Sequence, residues 1–193
     1  MGYKKLYNFC QNQGLHVRRN IIRDEVLNIT GINKVAVMKT SMDVSICRGF
    51  YVSAKNKDHP LIQQFGSHLI VLARDENKCW DRFVFTKELM HIFDNPLKST
   101  NSGDAFDRLL TDLTAPHPLE WSPQMVSEVD CFWMALGVLC PENERQELQK
   151  KLEAGQIDDY GIALKLKIPK QYVHHLFRRD FGKIIKKLLV PIT

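Results

Sequence analysis

The chain has no apolar run long enough to span a bilayer, no C-x-x-C pair, no internal repeat and no low-complexity tract. The first absence excludes a membrane-spanning helix. The start, Met1-Gly2-Tyr3-Lys4-Lys5, lacks the apolar core of a secretory signal. Gly2 invites N-myristoylation, but Leu6 stands where Ser or Thr is needed. Cysteine is sparse and odd in number: Cys10, Cys47, Cys79, Cys131 and Cys140 are scattered. That pattern excludes a disulfide framework and points to reduced thiols in a cytoplasm. A metal site built from these cysteines alone has no spacing to support it.

What is present is an ordinary globular composition in 193 residues, enough for one compact domain with a small appended module. We expect a main domain over 1–153 and a basic helical module over 154–193 packed on it. The net charge is +5, and the excess gathers late. After Tyr160, eight Lys and Arg residues (Lys165, Lys167, Lys170, Arg178, Arg179, Lys183, Lys186, Lys187) face only Asp180. Such asymmetry suits nucleic acid or an acidic protein partner, and equally a solvated helical surface.

Periodicity predicts helix from Tyr3 to about Ile32, interrupted at Gly14 and Gly31. Three β-like runs follow at Val35–Met38, Val44–Cys47 continuing through Phe50–Val52, and His68–Leu72, predicting a small mixed sheet. Asp81 is the expected cap of a helix running to about Phe93, closed by Asp94-Asn95-Pro96. A short helix is predicted over 105–113. Ser122-Pro123 should start a helix from about Gln124 to Leu139, stopped by Pro141. A charged helix over Glu142–Glu153 and then a helix pair complete the chain.

The segment Arg82-Phe83-Val84-Phe85-Thr86-Lys87-Glu88-Leu89-Met90-His91 carries the most chemistry. In H-E-x-x-H, two histidines one turn apart hold zinc and the intervening glutamate activates water. Here Glu88 and His91 stand in register, while Lys87 occupies the first histidine's place. A zinc site also needs a third ligand. Glu128, near the start of the helix after Pro123, is well placed for it, with Asp130 as the alternative on another helical face.

The same segment resembles the R-F-T-L-A-H-E-L-G-H block of the ImmA/IrrE family of metallopeptidases. Glu128-x-x-Cys131-Phe132-x-Met134-Ala135-x-x-x-Leu139-x-Pro141 resembles that family's second block, and Asp158 to Arg178 resembles the helix-turn-helix-like segment that often follows. The resemblance implies an α+β, zincin-like metallopeptidase fold with a C-terminal helix-turn-helix-like module. It makes Glu88 the general base and His91 and Glu128 the metal ligands. It also implies a role in cleaving or controlling repressor-type transcription factors of bacteria, phages and mobile elements. Three further positions depart from the pattern: Met90 replaces a glycine, Phe132 an asparagine and Gly137 a commonly acidic residue.

Lysine alters the chemistry. An ammonium cannot coordinate zinc, and with one nitrogen ligand gone His91 and Glu128 would hold the ion weakly. Lys87 can instead take over the cation's charge by pairing with Glu128 or Glu88. Two routes would rescue activity: a substitute ligand from His59, His68 or His117, or a Lys87 whose pKa is lowered by burial. The primary reading is therefore a pseudo-peptidase that binds a protein partner such as a repressor, without a membrane association. An active zinc endopeptidase is the second reading. The third is DNA binding through the C-terminal helices, with Lys170, Gln171 and His174 approaching bases and Arg178 and Arg179 contacting phosphates.

Overall fold

A computed structural model describes residues 2–94 and 121–190. The helix expected over 105–113, the Pro96 stop and His117 lie outside the described residues.

The expected N-terminal helical stretch is two helices, α1 (Gly2–Gln11) and α2 (Arg19–Thr30). The break is wider than a single glycine, and α2 ends at Gly31, whose φ of 70° gives it the left-handed geometry of a helix terminator. Strands β1 (Val35–Thr40), β2 (Gly49–Val52) and β3 (His68–Ala73) form one sheet in the order β1-β3-β2. β1 runs parallel to β3 and β2 antiparallel to it, so the sheet is mixed, as anticipated. β3 is central and covered on both faces. Its Leu-Ile-Val-Leu-Ala run is therefore buried at every position instead of alternating.

The run Val44–Cys47 is not a strand. Asp43 Oδ1 accepts from Ser45 N (2.9 Å) and Ser45 Oγ (2.6 Å), folding the segment into a turn that leaves Ile46 exposed. Helix α3 (Pro60–Phe65) was not anticipated. Pro60 opens it, and His59 caps it by accepting from Leu61 N at 3.2 Å.

Helix α4 (Lys78–Met90) starts one turn before the expected cap. Asn77 accepts from Cys79 N (2.9 Å) and Trp80 N (3.1 Å), while Asp81 is spent on ion pairs with Arg19 and Lys39. A 3₁₀ turn, His91–Phe93, continues α4. α5 (Pro123–Leu139) begins where expected, Ser122 Oγ accepting from Met125 N at 3.1 Å. α6 (Glu142–Glu153) follows.

The C-terminal part is shorter-stepped than a helix pair. α7 (Asp159–Leu166) ends at Lys167, which adopts φ 52° where glycine is usual. The expected second helix is a 3₁₀ turn (Lys170–Tyr172) joined to a single turn, α8 (Val173–Leu176). α9 (Phe181–Leu188) closes the described chain and was not anticipated.

Ala36, Val52, Ile62, Leu69 and Val71 pack between the sheet and α3. The larger core lies on the opposite face, where Ile70 and Leu72 pack on α4 and join a cluster that includes side chains of α1 and α5. That core continues without interruption into Ile162, Leu166, Val173, Leu176, Phe181 and Ile185 of the C-terminal helices. Gly137 allows a close approach of helices: a Cβ there would sit 2.8 Å from Tyr3 Oη and 3.0 Å from Ile185 Cδ1. The commonly acidic position of the resemblance is thus a helix-crossing point in this chain.

Candidate functional site: a lysine between two carboxylates

α4 and α5 pack side by side, and their facing side chains converge beside the sheet. Positions 87 and 88 lie at the C-terminal end of α4 and 91 opens the 3₁₀ turn that continues it, while Glu128 reaches across from the second turn of α5. Lys87 Nζ forms an ion pair with Glu128 Oε2 and lies 2.9 Å from Glu88 Oε1. His91 Nε2 is 3.3 Å from Glu128 Oε1 and 3.6 Å from Glu88 Oε2. The four residues named from the sequence therefore meet in one place, and the carboxylate of first choice, Glu128, is the one on the pair. Glu88 is 2 % exposed, so its charge is held almost entirely by these neighbours.

The electrostatics correct one expectation. Burial acts to lower the Lys87 pKa, but Glu128 and Glu88 outweigh it and hold the ammonium well above its ordinary 10.5. The two carboxylates oppose the burial-lowered lysine that would act as base or ligand. Burial would raise Glu128, yet Lys87 and His91 hold it well below the usual carboxylate range. Burial pushes Glu88 up, against the lowering pull of Lys87.

A zinc ion at the position implied by the resemblance does not fit this donor set. The place of the first imidazole holds a protonated amine, already bonded to the carboxylate that would complete the coordination. The proposed substitutes do not repair it. His59 is occupied in capping α3. His68 Nδ1 hydrogen-bonds Tyr51 Oη and the backbone N–H of Ala54 (3.4 Å). Tyr51 links the two histidines, its ring lying near-parallel to His68 (5.8 Å between centroids) and to His91 (6.0 Å).

The other side of His91 holds residues that sequence reasoning passed over. Nδ1 is 2.7 Å from Asp94 Oδ2, 3.3 Å from Ser127 Oγ and 3.4 Å from Cys131 Sγ. Ser127 also donates to Asp94 Oδ2, and Cys131 Sγ lies 3.8 Å from Asp94 Oδ1. His91, Asp94 and Cys131 thus form a buried group whose ligand atoms lie within 4.8 Å of one another and could hold a metal ion. In the sequence, Asp94 stands out only as part of a helix stop. The spacing signal was there: Asp94 is three residues from His91, and Ser127 and Cys131 are one helical turn apart.

Burial lowers the His91 pKa, but Cys131, the hydrogen bond to Asp94 and the contact with Glu128 outweigh it and raise it well above 6.5. Burial pushes the Cys131 thiol up to about 12, with the neighbouring His91 pulling the other way.

Arg82, part of the motif by resemblance, is structural. It is 6 % exposed, with Nη1 donating to Leu166 O (2.5 Å) and Lys167 O (3.2 Å), and Nη2 donating to Val17 O. It fastens α4 to the end of α7 and to the α1–α2 connection.

The five C-terminal candidates, Lys170, Gln171, His174, Arg178 and Arg179, are all exposed. Their support is a 3₁₀ turn and one helical turn, shorter than the continuous helix expected over Lys170–Arg179. Arg178 is engaged: Nε and Nη2 donate to both carboxylate oxygens of Asp180 (2.9 and 2.6 Å), and its guanidinium lies 5.3 Å from the Trp133 ring centroid.

No protein-family model matches the chain, and neither the curated proteins nor the solved structures give a significant match. Among the described residues no helix is long and apolar enough to cross a membrane.

Proposed function

We propose that this chain is an ImmA/IrrE-like regulatory protein with a degenerate K-E-x-x-H site, a zincin-like pseudo-peptidase that binds a protein partner such as a transcriptional repressor. One observation carries the reading: the Lys87 ammonium sits between Glu88 and Glu128, with His91 beside the same carboxylate. In a zinc peptidase that place belongs to a divalent cation which lowers the pKa of bound water. A lysine supplies positive charge there without an open coordination position. It keeps the two helices docked and gives Glu88 no activated water on which to act as base.

The test is to restore the first ligand. A chain carrying Lys87→His together with Cys131→Ser should take up stoichiometric zinc and lose it on Glu128→Ala. Failure of a folded Lys87→His protein to acquire zinc through Glu128 would count against the lineage. A repressor-type partner should be bound intact by the wild-type chain in the presence of zinc; its cleavage would establish the endopeptidase reading instead.

A further inference from the structure

The imidazole of His91 has two nitrogens, and the substitution at residue 87 blocks only one of them. Nε2 faces the Lys87–Glu128 pair, while Nδ1 faces Asp94 and Cys131. We propose that His91 Nδ1, Asp94 Oδ1 and Cys131 Sγ form a site for a thiophilic divalent metal of the Zn²⁺ class. The site is distinct from the one that Lys87 fills.

Three observations carry this. The first is spacing. With Zn–S near 2.3 Å and Zn–N near 2.0–2.1 Å, tetrahedral geometry places sulfur and nitrogen about 3.6 Å apart. The distances found are 3.4 Å for Sγ–Nδ1 and 3.8 Å for Sγ–Oδ1. The second is donor chemistry: thiolate, imidazole and carboxylate together favour zinc over magnesium or calcium, which take oxygen sets. The third is the surrounding shell. A metal-bound histidine usually donates its other ring N–H to a carboxylate, and ligating carboxylates are themselves hydrogen-bonded. Here Glu128 Oε1 lies 3.3 Å from His91 Nε2, and Ser127 donates to Asp94 Oδ2, the oxygen that also lies 2.7 Å from His91 Nδ1. Glu128 then orients the ligand instead of acting as one, and Lys87 holds Glu128 in place. Metal entry displaces the Cys131 thiol proton and the His91 Nδ1 proton to solvent, leaving thiolate and neutral imidazole as ligands.

The inference stands apart from the peptidase lineage, because none of its three ligands requires a histidine at position 87. Its test uses Co²⁺ as the probe, with the full chain refolded in its presence so that burial does not limit entry. The expected result is one equivalent bound with a near-ultraviolet thiolate-to-cobalt charge-transfer band, displaced by Zn²⁺. The band should vanish in Cys131→Ser, persist in Cys79→Ser and persist in Lys87→Met. Absence of the band in the wild-type chain, or its survival in Cys131→Ser, overturns the proposal. Should Cys131→Ser fail to fold, Asp94→Asn decides: a tenfold or greater loss of Co²⁺ affinity supports the site, and unchanged affinity overturns it. Glu128→Gln should weaken Co²⁺ binding by roughly 10–100-fold while preserving the band.

Discussion

His91 Nε2 lies 3.3 Å from Glu128 Oε1, although 37 residues separate them in sequence and they sit on different helices. That contact, shared with Lys87, makes the α4–α5 junction an electrostatic one set in an otherwise apolar core.

Removing one side of the junction should be costly. Lys87→Met leaves Glu88 and Glu128 facing each other without their cation. We expect a loss toward the lower end of the ~3–5 kcal/mol typical of breaking a buried pair, because the lysine side chain is 20 % exposed. Lys87→Met with Glu128→Gln should cost clearly less than the sum of the single changes. Urea unfolding of the three variants checks both statements, and strict additivity would contradict the pairing.

Arg82→Met should release the C-terminal helices. The guanidinium serves three backbone carbonyls that are left without a donor on substitution. A loss of about 3 kcal/mol or more is expected. Hydrogen exchange should rise first in α7 and around Val17, and uniform protection loss across the sheet would argue for a different role.

Gly137→Ala should destabilise by about 1–3 kcal/mol, since the added methyl would sit 2.8 Å from Tyr3 Oη, closer than real Cβ contacts come, and 3.0 Å from Ile185 Cδ1. Gly182→Ala is the control, because its Cβ would meet nothing within 4 Å. Thermal melts of the two variants should separate clearly.

The α6–C-terminal contact should weaken in acid. Arg145 donates to both oxygens of Glu142 (2.8 and 2.7 Å) and to Leu176 O (3.1 Å). The hydrogen bonds from Arg145 hold the Glu142 carboxyl below its ordinary 4.5, with partial burial opposing them. A depressed carboxyl pKa contributes stability that is complete above the unfolded value near 4.5 and is lost as pH falls through the lower folded value. Glu142→Gln should therefore flatten the pH dependence of stability below about pH 4.5 and leave its shape unchanged at neutral pH.

The reading in which the exposed basic face binds duplex DNA predicts an affinity that falls steeply with salt. Arg179→Ala should reduce it more than Arg178→Ala, whose guanidinium is already spent on Asp180. Fluorescence anisotropy at two salt concentrations reads both effects. A salt-independent signal would remove the DNA reading.

Elements with strong local signals were legible in the sequence. Ser122-Pro123 fixed the start of α5, Pro141 its end, and the β-branched run at His68–Leu72 the central strand. Val44–Cys47 misled because its apolar character is real but Asp43 turns the backbone locally. Asp81 looked like a helix cap, and tertiary pairing with Arg19 and Lys39 claimed it instead. The site divided the same way. Lys87, Glu88 and His91 were found because they stand in the register of H-E-x-x-H, and Glu128 because it lies near the start of the helix after Pro123 and matches the second block of the resemblance. Asp94 and Cys131 were passed over because the local spacing shows only two separate pairs, Asp94 with His91 and Ser127 with Cys131, and their meeting depends on how α4 ends and how α5 crosses it.

The anchoring of Arg82 has a practical consequence for anyone trimming the protein. A fragment ending at Glu153 would strand a guanidinium facing two vanished acceptors and lay bare Trp133, Leu136 and their neighbours to water. Residues 154–190 behave as the lid of the hydrophobic interior and not as a detachable reader, so deletion series designed around a modular tail should yield insoluble material.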